Sequence, residues 1–440
     1  MGVREWVNSS PAPRRGDAVR RARTAAIAAL VYGAGLAYLS VARGGEWACG
    51  ATLLFEFSSL SKASRADLVV NVVAYVPFGV MVALSCRSAG AARIWAAFFA
   101  ALFGGLLSLS VELVQACLPA RTSSWLDLAA NAGGALLGSA LYLAELRPVA
   151  IGDARGGRSR ALLAAEPLRS LAALTLLAWF AGRTFPWVLT ADIGQIRQNL
   201  VFLKPLLAGE PSIDPWRLAG NLAQWIVAGV AVRALLRPWA PVFRLTLAMM
   251  LLALAVQLLL AVPTLSLEQL LSFVIAIAIL LVLRLPASAP ALPAALALAA
   301  VSMATTYQLR PGRGPVSGEF SWWPVFGTGN PIGALELGVF FFAFAFACAL
   351  ALAWSAMPPA AGPKPALAAR AVLPSPGATI VGASLSIAWL AMLEVAQLWV
   401  PGRTADTSTP LLALTGWAIA LAVQSRATDP APTRRPRSAP

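Results

Sequence analysis

Histidine is absent from all 440 residues, and that absence excludes more chemistry than any motif in the chain adds. Imidazole acid–base catalysis, a Ser-His-Asp triad and histidine metal ligands all fall away with it. Cysteine is almost as scarce: Cys49, Cys86, Cys117 and Cys348 lie far apart, with no CxxC pair. That spacing argues against zinc and against a disulfide framework, and reads as buried thiols filling small apolar spaces. Neither a metal site nor a cofactor is expected. Charge is thin as well, at 12% of residues, with 19 acidic side chains against 34 Lys and Arg and a net charge of +15. So little charge leaves no room for a separate soluble domain.

What is present is apolar. Hydrophobic residues make up 59% of the chain and mean hydropathy is +0.73. Apolar runs of about 18 residues or more recur, enough to cross roughly 30 Å of hydrocarbon. The sequence therefore predicts an all-α, polytopic transmembrane protein of about twelve spans. These are 24–42, 67–86, 92–113, 125–145, 169–190, 217–236, 242–262, 268–285, 290–306, 331–354, 378–400 and 410–424. The segments near 268 and 410 are short or interrupted, so ten or eleven full crossings are also compatible with the pattern. The basic leader 1–23 precedes a first run too long for a signal-peptide core, which predicts an uncleaved span.

With the N-terminus inside, about 23 of the 34 Lys and Arg fall on the cytoplasmic side and about 11 outside. This predicts a multi-pass protein of a bacterial plasma (inner) membrane, with both the N-terminus and the basic tail 426–440 cytoplasmic. Arginines between spans suit anionic headgroups, so the expected partners are membrane lipids and not nucleic acid. The outer segment 193–207 reads as a short interfacial helix, and Trp322–Trp323 as part of an aromatic belt.

The polar residues of the spans are few and patterned. Glu112-x2-Gln115-x3-Pro119-x-Arg121-Thr122 recurs as Glu394-x2-Gln397-x3-Pro401-x-Arg403-Thr404, every position displaced by 282 residues. A middle copy fits around Pro263 but lacks the Glu, Gln and Arg. Asn71-x7-Gly79, Asn221-x7-Gly229 and Asn330-x7-Gly338 form a second, weaker triplet. Together they divide the chain into four-helix units at 24–147, 165–286 and 288–425, the latter two degenerate and the third carrying a Pro-rich cytoplasmic insertion.

On these residues the first unit resembles the VanZ-like family of integral membrane proteins. The resemblance rests on Asp67-x3-Asn71 with Pro77-Phe78-Gly79, then Glu112-x2-Gln115, Pro119 and Arg121, then Asp127-x3-Asn131-x-Gly133-Gly134. It covers about the first third of the chain. In the third unit Thr409 replaces Asp127 and Ala413 replaces Asn131, so only the first unit holds the set complete. The family is named after an accessory factor in glycopeptide (teicoplanin) resistance. The resemblance thus implies a bacterial cell-envelope setting, a link to antibiotic resistance and no particular reaction.

The candidate polar site is Asp67, Asn71, Glu112, Gln115, Arg121, Asp127 and Asn131, with Glu394, Gln397 and Arg403 as its secondary copy. Each has a structural reading beside the functional one. Asp67 and Asp127 lie three residues after Ser64 and Ser124, the spacing of a helix capping box. Asn71 and Asn131 suit interhelical hydrogen bonds, and Gly133, Gly134 and Gly138 suit close helix packing. Glu112 sits about two turns below Pro119, where a carboxylate needs a partner, and Arg121 is the nearest in sequence. Arg121 and Arg403 precede a helix start and suit bidentate recognition of an anion.

Two functions fit. One is an envelope protein that binds or handles an anionic lipid or lipid-linked glycan precursor, or modulates glycopeptide susceptibility. The other is a membrane enzyme acting on a lipid phosphate or lipid-linked glycan at the outer face, with Glu112 or Asp127 as acid/base and Arg121 stabilising charge.

Overall fold

The computed structural model describes residues 15–41, 49, 65–118, 124–144, 168–210, 212–236, 240–262, 264–282, 291–325, 331–357 and 374–427. The chain divides into two compact units, one of residues 1–150 with 330–332, the other of 151–329 with 333–440.

The first unit is built of α1 (Arg15–Val41), α2 (Arg65–Ser88), α3 (Arg93–Gln115) and α4 (Trp125–Leu143). Long stretches of Ala, Leu and Val with no proline in α3 or α4 favour uninterrupted helix. Pro77 falls inside α2, which a helix in lipid tolerates because its neighbours re-satisfy the freed backbone. Helix α2 packs against all three others and most extensively against α4. Polarity is reversed relative to a water-soluble bundle. On α3, Ile94, Phe98 and Leu106 are 73%, 50% and 49% exposed, whereas Ser108 and Glu112 are 0% and 3%. Apolar side chains outside and polar ones within are what a hydrocarbon solvent requires.

The second unit contains α5 (Leu168–Arg183), the short α6 (Ile193–Asn199) and α7 (Leu203–Leu207), then α8 (Pro215–Leu235), α9 (Val242–Leu258) and α10 (Leu267–Val282). Beyond these come α11 (Ala291–Leu309), α12 (Pro331–Ser355), α13 (Pro376–Ala396) and α14 (Ser408–Ala427). Asp214 caps α8 by accepting the Trp216 and Arg217 N–H groups, with Pro215 in the first turn, and Ser375-Pro376 starts α13 in the same way. Helix α8 is central, touching α5, α9, α10 and α11. Helices from both of the expected later groups, 165–286 and 288–425, thereby share one body. A two-residue parallel pair, β1 (Phe320–Ser321) with β2 (Ala405–Asp406), joins two loops at one end.

Among the described residues seven helices are long and apolar enough to cross a membrane, and Val242–Leu258, Leu267–Val282 and Ser408–Gln424 are shorter apolar helices. The protein is a polytopic all-α membrane protein. Helices α6 and α7 occupy the 193–207 segment, and Trp322 and Trp323 stand 81% and 69% exposed.

One expectation is overturned. Cys49 and Cys117 are joined in a disulfide, whereas Cys86 and Cys348 are free. A separation of 68 residues hid the pair, because only the fold brings Cys49 to Cys117 after the end of α3.

Candidate functional site

In the first unit the site is built where α3 ends and α4 begins. Glu112 is 3% exposed, and its Oε2 accepts the backbone N–H of Ser124 at 2.9 Å. Ser124 in turn accepts the Leu126 N–H on its hydroxyl at 3.1 Å. The capping box expected of Ser124 and Asp127 is therefore divided differently. Glu112 takes the N–H that the box would assign to Asp127, and Asp127 is released to another partner.

That partner is Asn71, whose Nδ2 donates to Asp127 Oδ1 at 2.7 Å across 56 residues of sequence. The contact ties the start of α2 to the start of α4. One turn deeper, Asn131 Nδ2 donates to Ser108 Oγ at 2.9 Å, tying α4 to α3. Gln115 Nε2 donates to the Ser40 carbonyl at 2.9 Å, tying α3 to α1. Asp67 is exposed in the first turn of α2. Pro119, Arg121 and Thr122 lie outside the described residues, as do Pro263 and Asn330.

Close backbone approach lets these short side chains meet. A Cβ on Gly134 or Gly138 would collide with the carbonyls of Val72 or Val76, and one on Gly79 with that of Ala135. Gly133 differs from its neighbour: nothing lies within 4 Å of its Cβ position, so it takes no part in the packing assigned to it. Within this lattice of ties one atom is left over. Asn131 is 6% exposed, yet its Oδ1 has no hydrogen-bond partner among the described residues.

The secondary copy closes on itself. Glu394, also 3% exposed, accepts the Asp406 N–H on Oε2 at 3.1 Å. Its Oε1 accepts the Thr409 hydroxyl at 2.5 Å and Gln308 Nε2 at 3.2 Å. Gln397 donates to the other end of the Gln308 amide. Arg403 donates from Nε to the Arg310 carbonyl at 2.7 Å and from Nη2 to the Tyr307 carbonyl at 2.6 Å. Those donors clamp a loop to the end of α11 and are committed to backbone.

The middle copy is more polar than its sequence suggests. Gln257 and Gln269, 2% and 3% exposed, are hydrogen-bonded to each other across 12 residues, the same separation as Glu112–Ser124 and Glu394–Asp406. Aligning on Pro263 puts this pair one residue out of register, and it joins two side chains where the other two contacts join a carboxylate to a backbone N–H. Arg183 and Asn221, also in this copy, are hydrogen-bonded at 2.6 Å. The signal for Arg183 was a single cation closing the run LRSLAALTLLAWFAGR. Ser108, the partner of Asn131, carried no signal, since serine is common in spans.

Residues 40–147 match the family model described as VanZ/LLP1, which supports the VanZ-like resemblance drawn from Asp67 to Gly134. No curated protein and no solved structure matches the chain.

Proposed function

We propose that this chain is a protein of the bacterial inner membrane whose VanZ/LLP1 unit binds the polar headgroup of an anionic envelope lipid or lipid-linked glycan precursor. One observation carries the reading: the idle, buried Oδ1 of Asn131 one turn below the Asn71–Asp127 pair. An acceptor left unpaired in apolar surroundings is costly, and a sugar hydroxyl or an ammonium group would satisfy it. Asp127 offers a carboxylate one helical turn away, and six residues before it in the sequence stands Arg121, a residue type that grips phosphate.

The disulfide supports an outward-facing site. Disulfides persist in oxidising compartments, and Cys117 follows α3 at the end where Glu112 and Ser124 meet. That orientation agrees with the arginine bias and leaves both termini in the cytoplasm. Binding of a glycan precursor at this face would account for modulated glycopeptide susceptibility. The enzymatic alternative finds less support, because Glu112 and Glu394 brace equivalent turns and a general acid/base needs a free carboxyl.

The test is complementation of a null strain with Asn131→Leu or Asp127→Asn. The reading expects altered glycopeptide tolerance or altered lipid-linked precursor levels at normal protein abundance. Wild-type phenotypes from both variants would remove its support.

A further inference from the structure

The second unit holds a half-open cavity of about 400 Å3 where α5, α9 and α11 end and α8, α10 and α12 begin. Its walls include Trp179, Arg183, Asn221, Gln224, Thr264 and Gln269. Arg183 is 9% exposed and makes no ion pair with a carboxylate among the described residues. Neutral groups hold it instead. Nη1 donates to Asn221 Oδ1 at 2.6 Å and, more weakly, toward Gln224 Oε1 at 3.4 Å. The guanidinium lies over the Trp225 ring, 4.6 Å from its centre. Turning the Gln269 amide over would place its oxygen 3.0 Å from Arg183 Nη2. A buried cation held only by amides and a ring is poorly compensated.

Three wall residues also carry buried polar atoms without a partner among the described residues: Arg183 Nε, Trp179 Nε1 and Thr264 Oγ1. The first two are obligate donors, and the third can donate. What this cavity lacks is therefore acceptors. Its charge points the same way. Arg217 and Arg310 also line it, with Glu336 in the wall, and both find carboxylates: Asp214 pairs with Arg310 at 2.9 Å and lies 3.8 Å from Arg217, and Glu268 also acts on Arg217 through its charge. Of the three guanidiniums, the buried Arg183 is the one for which no carboxylate partner is found among the described residues.

The contrast with the third copy is informative. There the first-helix position near the same turn is Gln308, whose amide is satisfied by Glu394, Thr409 and Gln397. Near that turn Arg403 has Nε and Nη2 committed to the Arg310 and Tyr307 carbonyls, whereas Arg183 keeps its Nε without a partner among the described residues.

We infer that this cavity is an anion-binding site in which Arg183, assisted by Trp179 and Thr264, receives the oxygens of a phosphate group. A guanidinium fork with idle Nε fits a tetrahedral oxyanion. The phosphate is either free in solution or the headgroup of a lipid, since the cavity adjoins apolar helix surface. All of the residues involved lie in the second unit, so the inference stands or falls separately from the reading of the VanZ/LLP1 unit.

Equilibrium binding to the purified full-length protein in zwitterionic nanodiscs tests it. One arm uses radiolabelled inorganic phosphate, and the other a radiolabelled polyprenyl monophosphate incorporated in the disc. Saturable binding is expected in at least one arm; the lipid arm alone identifies a headgroup, and the phosphate arm a free anion. Arg183→Met should weaken it at least tenfold, and Arg183→Lys should weaken it less, keeping charge without the fork. Should Arg183→Met not fold, the double variant Trp179→Phe, Thr264→Val replaces it, with a loss of at least threefold expected. No saturable binding in either arm, or binding indifferent to these substitutions, overturns the inference.

Discussion

A carboxylate below the surface of a span is tolerable only when its oxygens have work, and Glu112 and Glu394 find the same work. From the end of one helix each accepts a backbone N–H of the chain entering the next, that of Ser124 just before α4 or of Asp406 two residues before α14. Glu112→Leu should orphan that N–H and lower stability by about 1–3 kcal/mol. Glu112→Gln keeps an accepting oxygen and should cost less, and thermal melts in detergent would rank the two. Asp214 gives a prediction in pH. Burial alone would raise its carboxyl, but the Arg217 N–H, the Arg310 charge, the Trp216 N–H and the Arg310 hydrogen bond together hold it below the ordinary 3.8. A depressed carboxyl stabilises the fold above its unfolded value and loses that contribution as pH falls through its folded value. The side chains are 31% and 35% exposed, so the effect is that of a screened surface pair, below about 1 kcal/mol. Asp214→Asn, which still caps α8, should melt below the wild type near neutral pH, with the gap closing below 3.8. A gap independent of pH would assign the effect to the cap alone.

At the scale of elements, the pairing of α2 with α4 depends on where single glycines stand. Gly138→Leu would drive a side chain into the Val76 carbonyl and should cost about 1–3 kcal/mol or more. Gly133→Ala meets open space and should leave the melting temperature unchanged. This pair also marks how far sequence could reach. Apolar length was enough to find the membrane-crossing helices, because lipid imposes one simple rule on the backbone. Spacing was enough to set Asp67 and Asn71 near Asp127 and to find Glu394 as the echo of Glu112. It did not tell Gly133 from Gly134, since which face of α4 meets α2 is a property of the packed pair. It also missed that Glu112 would take the N–H expected for Asp127, which depends on where the turn between α3 and α4 brings the chain back. Gln257 was hidden because its partner is the side chain of Gln269, a pairing that no fixed-spacing match to Glu112 describes.

For the molecule as a whole, the unit matched to VanZ/LLP1 has a buried polar atom without a partner among the described residues, the polar residues around Glu394 are satisfied by one another, and the helices around Arg183 hold a buried cation. The Cys49–Cys117 disulfide makes the sidedness of this plan measurable. After reduction of intact cells, a membrane-impermeant thiol reagent should label Cys49 and Cys117; labelling only after lysis would place that end in the cytoplasm. Cys117→Ser should also lower stability by about 2–4 kcal/mol. The central claim is that the first unit holds a binding site and not merely a set of helix ties. Binding of a polyprenyl-linked glycan to the purified protein, read beside its melting temperature, decides between the two for Asn131→Leu. The account predicts binding weakened at least tenfold with a melting temperature lowered only by the loss of the Asn131–Ser108 hydrogen bond, about 0.5–1.5 kcal/mol. Unchanged binding together with that lowering would contradict it, and would make Asn131 a structural tie.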